Sequence, residues 1–207
     1  ASSSTSESEV PRPAAAAVSI EDRFMRIACL VGQFPQWSER FIAREARALA
    51  ARGHTVQLWP GGAPAHEARW FTPDAKPEPP LERARARCAW RPVLRALAGC
   101  GLLQVRRLPC VLRAAALLDE RPDVILAHFA GLPAVLGAGL AAGLGRPLVV
   151  SVHARDVWVP WEPGLRALAR ARAVVGCNQA ALDALGERLP RHADAALPAV
   201  QIGRAHV

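Results

Sequence analysis

The stretch RPLVVSVHARDVW, Arg146 to Trp158, decides how this chain reads. Pro147 to Val152 is a short, β-branched apolar run with sharp ends. That is the pattern of a strand buried on both faces of a parallel sheet. The run stops at His153, Ala154, Arg155 and Asp156. Ligands of an open α/β sheet sit in the crevice beyond the carboxyl ends of its strands. The spacing therefore puts an imidazole, a guanidinium and a carboxylate where such a fold does its chemistry. A plainer reading makes Asp156 a helix cap and His153 a packed core histidine.

Working outward, strands and helices alternate. Upstream, Arg26 to Val31 reads as a first strand that stops at Gly32. A loop through Pro35 follows, with Ser38 as helix N-cap and Glu39 in the first turn, where the helix dipole favours an anion. Phe41, Ile42, Glu45 and Leu49 fall on one helical face, Gly53 stops the helix, and His54 to Trp59 is a second strand. Gly61 to Pro80 is a loop, with a short strand at Arg69 to Phe71. Leu81 to Ala98 and Leu102 to Glu120 read as helices, the second disturbed near Pro109. Asp123 to Ala127 is a strand ending at His128, and Gly131 to Gly145 is a helix of small residues. Beyond the opening stretch come an apolar lip at Trp158 to Trp161, a helix at Leu165 to Arg170, a strand at Ala173 to Cys177 and a helix at Gln179 to Leu189. The fold class is α/β: a single Rossmann-like, doubly wound, mainly parallel sheet. His128 and His153 both end strands, so they can face one crevice.

Composition narrows the partners. The chain has 207 residues, half of them apolar, enough for a proper core. Its formal charge of +8 is carried almost wholly by arginine, since Lys76 is the single lysine. The basic residues lack interleaved aromatics, which argues against nucleic acid. The arginine-rich helices fit either a solvated face or a face for anionic lipid or a phosphorylated acceptor. The five cysteines form no C-x-x-C pair, so a disulfide framework and a zinc site are poor readings and a reducing cytoplasm is expected. Two histidines are too few for catalytic zinc, so no metal is assigned. No apolar run is long enough to span a bilayer.

Several motifs fail on context. Gly137, Gly139 and Gly143 imitate a dinucleotide fingerprint but sit inside a helix and before a strand. No GxxxxGK[ST] loop occurs. Ser151, His153 and Asp156 contain the atoms of a hydrolytic triad, but strand side chains alternate and no G-x-S-x-G elbow surrounds Ser151.

Four stretches then resemble one family. Phe34 to Val56, FPQWSERFIAREARALAARGHTV, is similar to an "FP-x-x-SETFI-x-x-E…L-x-x-x-GH-x-V" opening. Asp123 to Gly131, DVILAHFAG, is similar to a "D-x-x-HAHFA" strand. Pro147 to Trp158 is similar to a "P-x-x-x-T-x-HA-x-D" strand, and Ala171 to Asn178, ARAVVGCN, to the strand that follows it. Together they resemble the N-terminal half of family 4 (group 1) glycosyltransferases, retaining enzymes of the GT-B fold. The nearest likeness is to members that build exopolysaccharide, capsule, colanic-acid-type or lipid-linked glycans.

The resemblance implies that this half binds the acceptor and closes one wall of the site. It implies His153 and Asp156 as catalytic: His153 at the transferred sugar, Asp156 holding His153 or the acceptor. It implies Gly32, Ser38, Glu39, His128 and Arg155 as substrate-binding. Gly32 would admit the donor phosphates, Ser38 and Glu39 would line the acceptor loop, and His128 would shape the cleft floor. No cofactor is implied; a nucleotide sugar is the co-substrate and a glycan or lipid-linked molecule the acceptor. The expected location is cytoplasmic, with peripheral contact to the inner face of the bacterial cytoplasmic membrane. Arg40 departs from the motif's usual Thr. The family's donor site lies in a C-terminal domain with a Glu-x7-Glu pair, and no two glutamates here have that spacing in a suitable context. That domain is expected as a missing intramolecular partner, and the fragment alone is expected to be inactive.

The expected organisation is a disordered leader at 1–22, one domain at 23–200, and a non-native tail at 201–207. The tail, QIGRAHV, fits no element, and its reverse translation resembles a sequencing-library adapter. A different class of function stays open: a free-standing, non-catalytic module that docks on anionic membrane or a partner through the arginine helices and the Trp158 to Trp161 lip.

Overall fold

The computed structural model describes residues 24–32, 40–60, 88–118, 121–188 and 199–201. The leader, Ser38, Glu39, the short strand at Arg69 to Phe71, the start of the helix expected from Leu81 and residues 202–207 lie outside them.

Among the described residues six strands form one parallel sheet: β1 (Arg26–Val31), β2 (Thr55–Pro60), β3 (Val124–His128), β4 (Leu148–Val152), β5 (Ala173–Gly176) and β6 (Ala199–Gln201). Their order across the sheet is β2-β1-β3-β4-β5-β6. The chain steps outward from β1 to β2 and then returns to the other side of β1. The winding thus reverses between β1 and β3, and that reversal opens a crevice at their carboxyl ends.

Alternation along the strands sorts two apolar layers. On one face Ala28 and Leu30 of β1, Ile125 and Ala127 of β3 and Val150 and Val152 of β4 join the larger core. That core is covered by α2 (Trp90–Cys100), α3 (Leu108–Leu117) and α4 (Leu132–Leu144). On the other face Cys29 and Val31 pack with Leu58 under Ile42 and Ala46 of α1 (Arg40–Ala51). Helices on both faces make the sheet doubly wound, as expected from its fully apolar strands. Arg26 fixes the strand starts: its main-chain N–H and its Nε both donate to Asp123 Oδ2, at 2.9 and 3.3 Å. Those hydrogen bonds hold the Asp123 carboxyl below its ordinary range.

Four local expectations are corrected. Pro109 does not disturb a helix from Leu102; the chain runs as a 3-10 segment over Leu102–Arg107, and Pro109 sits in the first turn of α3. Proline suits that place, where its missing N–H has no helical partner anyway. Gly101, at φ 141, makes the turn between α2 and the 3-10 segment. A short helix, α5 (Ala154–Trp158), follows β4 directly. The next, α6, spans Glu162–Leu168 rather than starting at Leu165, and α7 spans Gln179–Gly186. Finally, β6 takes in Gln201, which pairs with Gly176, so the tail does not lie wholly outside the fold. A three-residue strand has no periodicity to read; only main-chain pairing beside β5 reveals it.

Candidate functional site

Two geometric rules build the site. Residues two apart on a strand share a face, so Ser151 and His153 point the same way from β4. The register of β3 and β4 then sets His128 beside Ser151. All three lie on the side covered by α1. That helix presents Phe41 and Glu45, one turn apart, to the two histidines.

The result is an aromatic box around His153. The ring centroids of Phe41 and Phe129 stand 4.8 and 4.7 Å from it, and the His128 ring stacks at 6.2 Å with 29° between planes. Phe129 reaches this position through a left-handed backbone, φ 72, which is costly for a bulky residue. Its N–H donates to the Ser151 carbonyl at 2.8 Å, which fixes the turn after β3. Sequence reasoning missed Phe41 and Phe129 as site residues. Their signal was present in the quoted motifs, but only packing shows what the rings touch.

Burial sets the charge state. His128 is 1% exposed, and desolvation together with the field of His153 lowers its pKa from 6.5 to about 4. Burial lowers His153 as well and raises Glu45. Both imidazoles are therefore neutral at pH 7, able to exchange hydrogen bonds but not to supply charge. Glu45 Oε2 lies 3.9 Å from His128 Nε2, and His128 Nδ1 has no hydrogen-bond partner among the described residues.

Asp156 acts on His153 through the main chain. Its Oδ2 accepts the His153 N–H at 2.8 Å, closing the first turn of α5. The carboxyl is buried, and desolvation raises its pKa against the opposing pull of the His153 and Ala130 amides and of Arg155. The cap reading of Asp156 and the site reading are thus the same contact. Ser151 Oγ does lie 3.4 Å from His153 Nε2, so the expectation that alternation separates them is wrong. A hydrolytic relay still fails here, because Asp156 grips the backbone of His153 and not its ring.

In front of this box lies an open cleft of about 710 Å³ at the β1/β3 reversal. Gly32, Arg107, Phe129, Leu132, Arg155 and Asp156 line it. Among the described residues, nothing stands within 4 Å of where a side chain at Gly32 would begin. Arg107 was read only as part of a basic face; the fold brings it to the cleft with its Nε buried and, among the described residues, without a hydrogen-bond partner. Gly32, Arg155 and Asp156 line the cleft, whereas His128 and His153 pack around Phe129 and are not part of its lining, and Ser38 and Glu39 are outside the described residues.

A family model described as Glycosyltransferase Family 4 matches residues 38–195. The chain belongs to that family. Its parallel α/β sheet is in keeping with the N-terminal domain of a GT-B glycosyltransferase, and the family's general chemistry transfers a glycosyl group from a nucleotide-sugar donor to a glycan acceptor. A comparison with curated proteins finds none that matches. Among the described residues, no helix of this glycosyltransferase domain is long and apolar enough to cross a membrane.

Proposed function

We propose that this domain is the acceptor-side half of a retaining glycosyltransferase that moves a hexosyl group from a nucleotide sugar to a lipid-linked or polysaccharide acceptor. The observation that carries the reading is the cleft at the reversal of the sheet, lined by Gly32, Phe129, Arg155 and Asp156, with His153 packed against Phe129. His153 exchanges a hydrogen bond with a hydroxyl of the transferred sugar. Its neutrality suits it to that task, since burial disfavours the charged ring. Asp156 holds the His153 backbone, while Phe41, Phe129 and His128 pack against its ring.

The leaving diphosphate approaches Gly32, where no described side chain blocks the backbone. Arg155 adds positive charge at the cleft wall. Transfer of this kind rests mainly on positioning and on stabilising the departing phosphate. The donor's main site belongs to a second domain that faces this half across the cleft, and the nucleotide sugar is a co-substrate rather than a resident cofactor. The reaction takes place on the cytoplasmic side.

The test is His153→Ala in the enzyme carrying both domains, with release of nucleoside diphosphate as the readout. Turnover should fall about a hundredfold or more, the range seen when a transition-state hydrogen bond is removed. Unchanged turnover in a variant with an intact fold refutes the role of His153.

A further inference from the structure

The cleft holds an aromatic ring and a cation that the transfer chemistry above leaves unused. Trp161 lines it together with Leu132 and Pro133, and so does Arg107, which ends the 3-10 segment. The indole belongs to the same frame as His153. Asp156 accepts the main-chain N–H of both His153 and Ala130. The Ala130 carbonyl in turn packs on Gly164 so closely that a side chain there would strike it. Trp161 Cε3 lies 3.5 Å from where that side chain would begin, and the Trp161 carbonyl accepts the Leu165 N–H at 3.0 Å. These contacts fix Trp161 against the turn after β3 and, through Asp156, relative to His153. The residue is still 39% exposed, so part of its ring is open to a ligand in the cleft.

The chemistry of these groups indicates what they hold. The face of an indole carries negative charge and attracts weakly positive hydrogens, such as the C–H groups on one side of a pyranose ring. Arg107 is the polar complement. Its Nε is buried without a hydrogen-bond partner, and no carboxylate pairs with it among the described residues. The acid in the lining, Asp156, is committed to two amides, and Arg155 brings a second cation. The cleft therefore combines an apolar wall with an excess of positive charge. A neutral sugar leaves a partly desolvated guanidinium without a counter-charge, whereas a carboxylate meets it with two parallel hydrogen bonds. At about 710 Å³ the cleft falls in the range, roughly 300–1,000 Å³, that takes a ligand of several rings.

We propose that Trp161 and Arg107 form an acceptor subsite for a carboxylate-bearing sugar, with the indole against the sugar ring and the guanidinium on its carboxylate. That the subsite serves an acceptor rests on the transfer reading above; that it binds an acidic saccharide does not. The acidic sugar is then a recognition unit of the acceptor, held in a fixed relation to His153.

The test is calorimetric titration of the full 207-residue chain with trigalacturonate, against the same trimer with its carboxyls reduced to hydroxymethyl groups. Trigalacturonate should bind at least about tenfold more tightly than the reduced trimer. Arg107→Gln should bring the two trimers level. Trp161→Ala should weaken both by about fivefold, while Trp161→Phe, which keeps an aromatic face, should stay within about threefold of native affinity. Circular dichroism checks the fold of each variant, and Arg107→Gln tests the subsite even where Trp161→Ala fails to fold. No binding of trigalacturonate, equal binding of the two trimers, or native affinity in both Arg107→Gln and Trp161→Ala each overturns the proposal. Arg107-dependent binding of galactose 6-phosphate that is tighter than that of galacturonate overturns it in favour of a phosphorylated ligand. Arg107-dependent binding of trigalacturonate without sugar transfer by the two-domain enzyme would sink the transfer reading alone. Transfer that is lost in His153→Ala, with no binding of trigalacturonate, would sink the subsite alone.

Discussion

Replacing His128 with leucine removes a buried titrating group while keeping an apolar side chain of similar bulk. In the native protein this imidazole titrates at about 4 instead of 6.5. A shift of that size, at about 1.36 kcal/mol per pKa unit, corresponds to about 3 kcal/mol between the two protonation states. The sign follows from proton uptake. Above pH 6.5 the ring is neutral in both folded and unfolded chains, so it contributes nothing to the pH dependence. Between 6.5 and about 4 only the unfolded chain takes up the proton, so stability falls as the pH drops through that window. Below about 4 both states are protonated and the loss levels off. The raised carboxyl of Glu45 acts in the opposite sense, gaining stability as the pH falls, and comparison with the variant removes most of it. The assay is urea unfolding at a series of pH values from 7 to 4, followed by tryptophan fluorescence. Native protein should lose up to about 3 kcal/mol more than His128→Leu across that range. At pH 7 the variant should be nearly as stable as the native protein, because leucine leaves no unpartnered ring nitrogen where Nδ1 was. Parallel pH curves for the two proteins would refute the claim that His128 is held neutral by burial.

Two further substitutions probe the frame of the site. Asp156→Ala removes the carboxylate that takes the His153 N–H, so it should cost about 1 kcal/mol of unfolding free energy and disorder α5, seen as faster exchange of the His153 amide. Unchanged exchange would show that α5 holds His153 without it. Gly164→Ala would drive a methyl group into the Ala130 carbonyl at the wall of the cleft. It should destabilise by about 1–3 kcal/mol in chemical denaturation, and a neutral result would mean that α6 is not seated against the turn after β3.

Much of the fold is legible in the chain because each buried strand is short, apolar and followed by a helical pattern. β1, β3, β4 and β5 lie within a residue of where their apolar runs place them. The elements that were misplaced lack such a signal. The 3-10 segment and α5 are too short for a helical period, and β6 exists only as a main-chain partner of β5. Within the site, His153, Asp156, Arg155 and Gly32 could be picked out because they end strands or start the helices after them. Arg107 could not, since nothing in its own neighbourhood separates it from Arg106.

By itself, then, the sequence determined the class of fold, the strand ends that bear chemistry and, through its motifs, the family. These are local or periodic properties: side chains alternate along a strand, and a carboxylate three residues beyond a strand end caps the next turn. Tertiary structure decided the rest. It brought Phe41 from α1 and Phe129 from the turn after β3 onto His153, made His128 neutral by burial, and carried Arg107 to the cleft. Those facts depend on which surfaces meet and how much water they exclude. Contacts between residues far apart in the chain set both, and no local pattern encodes them.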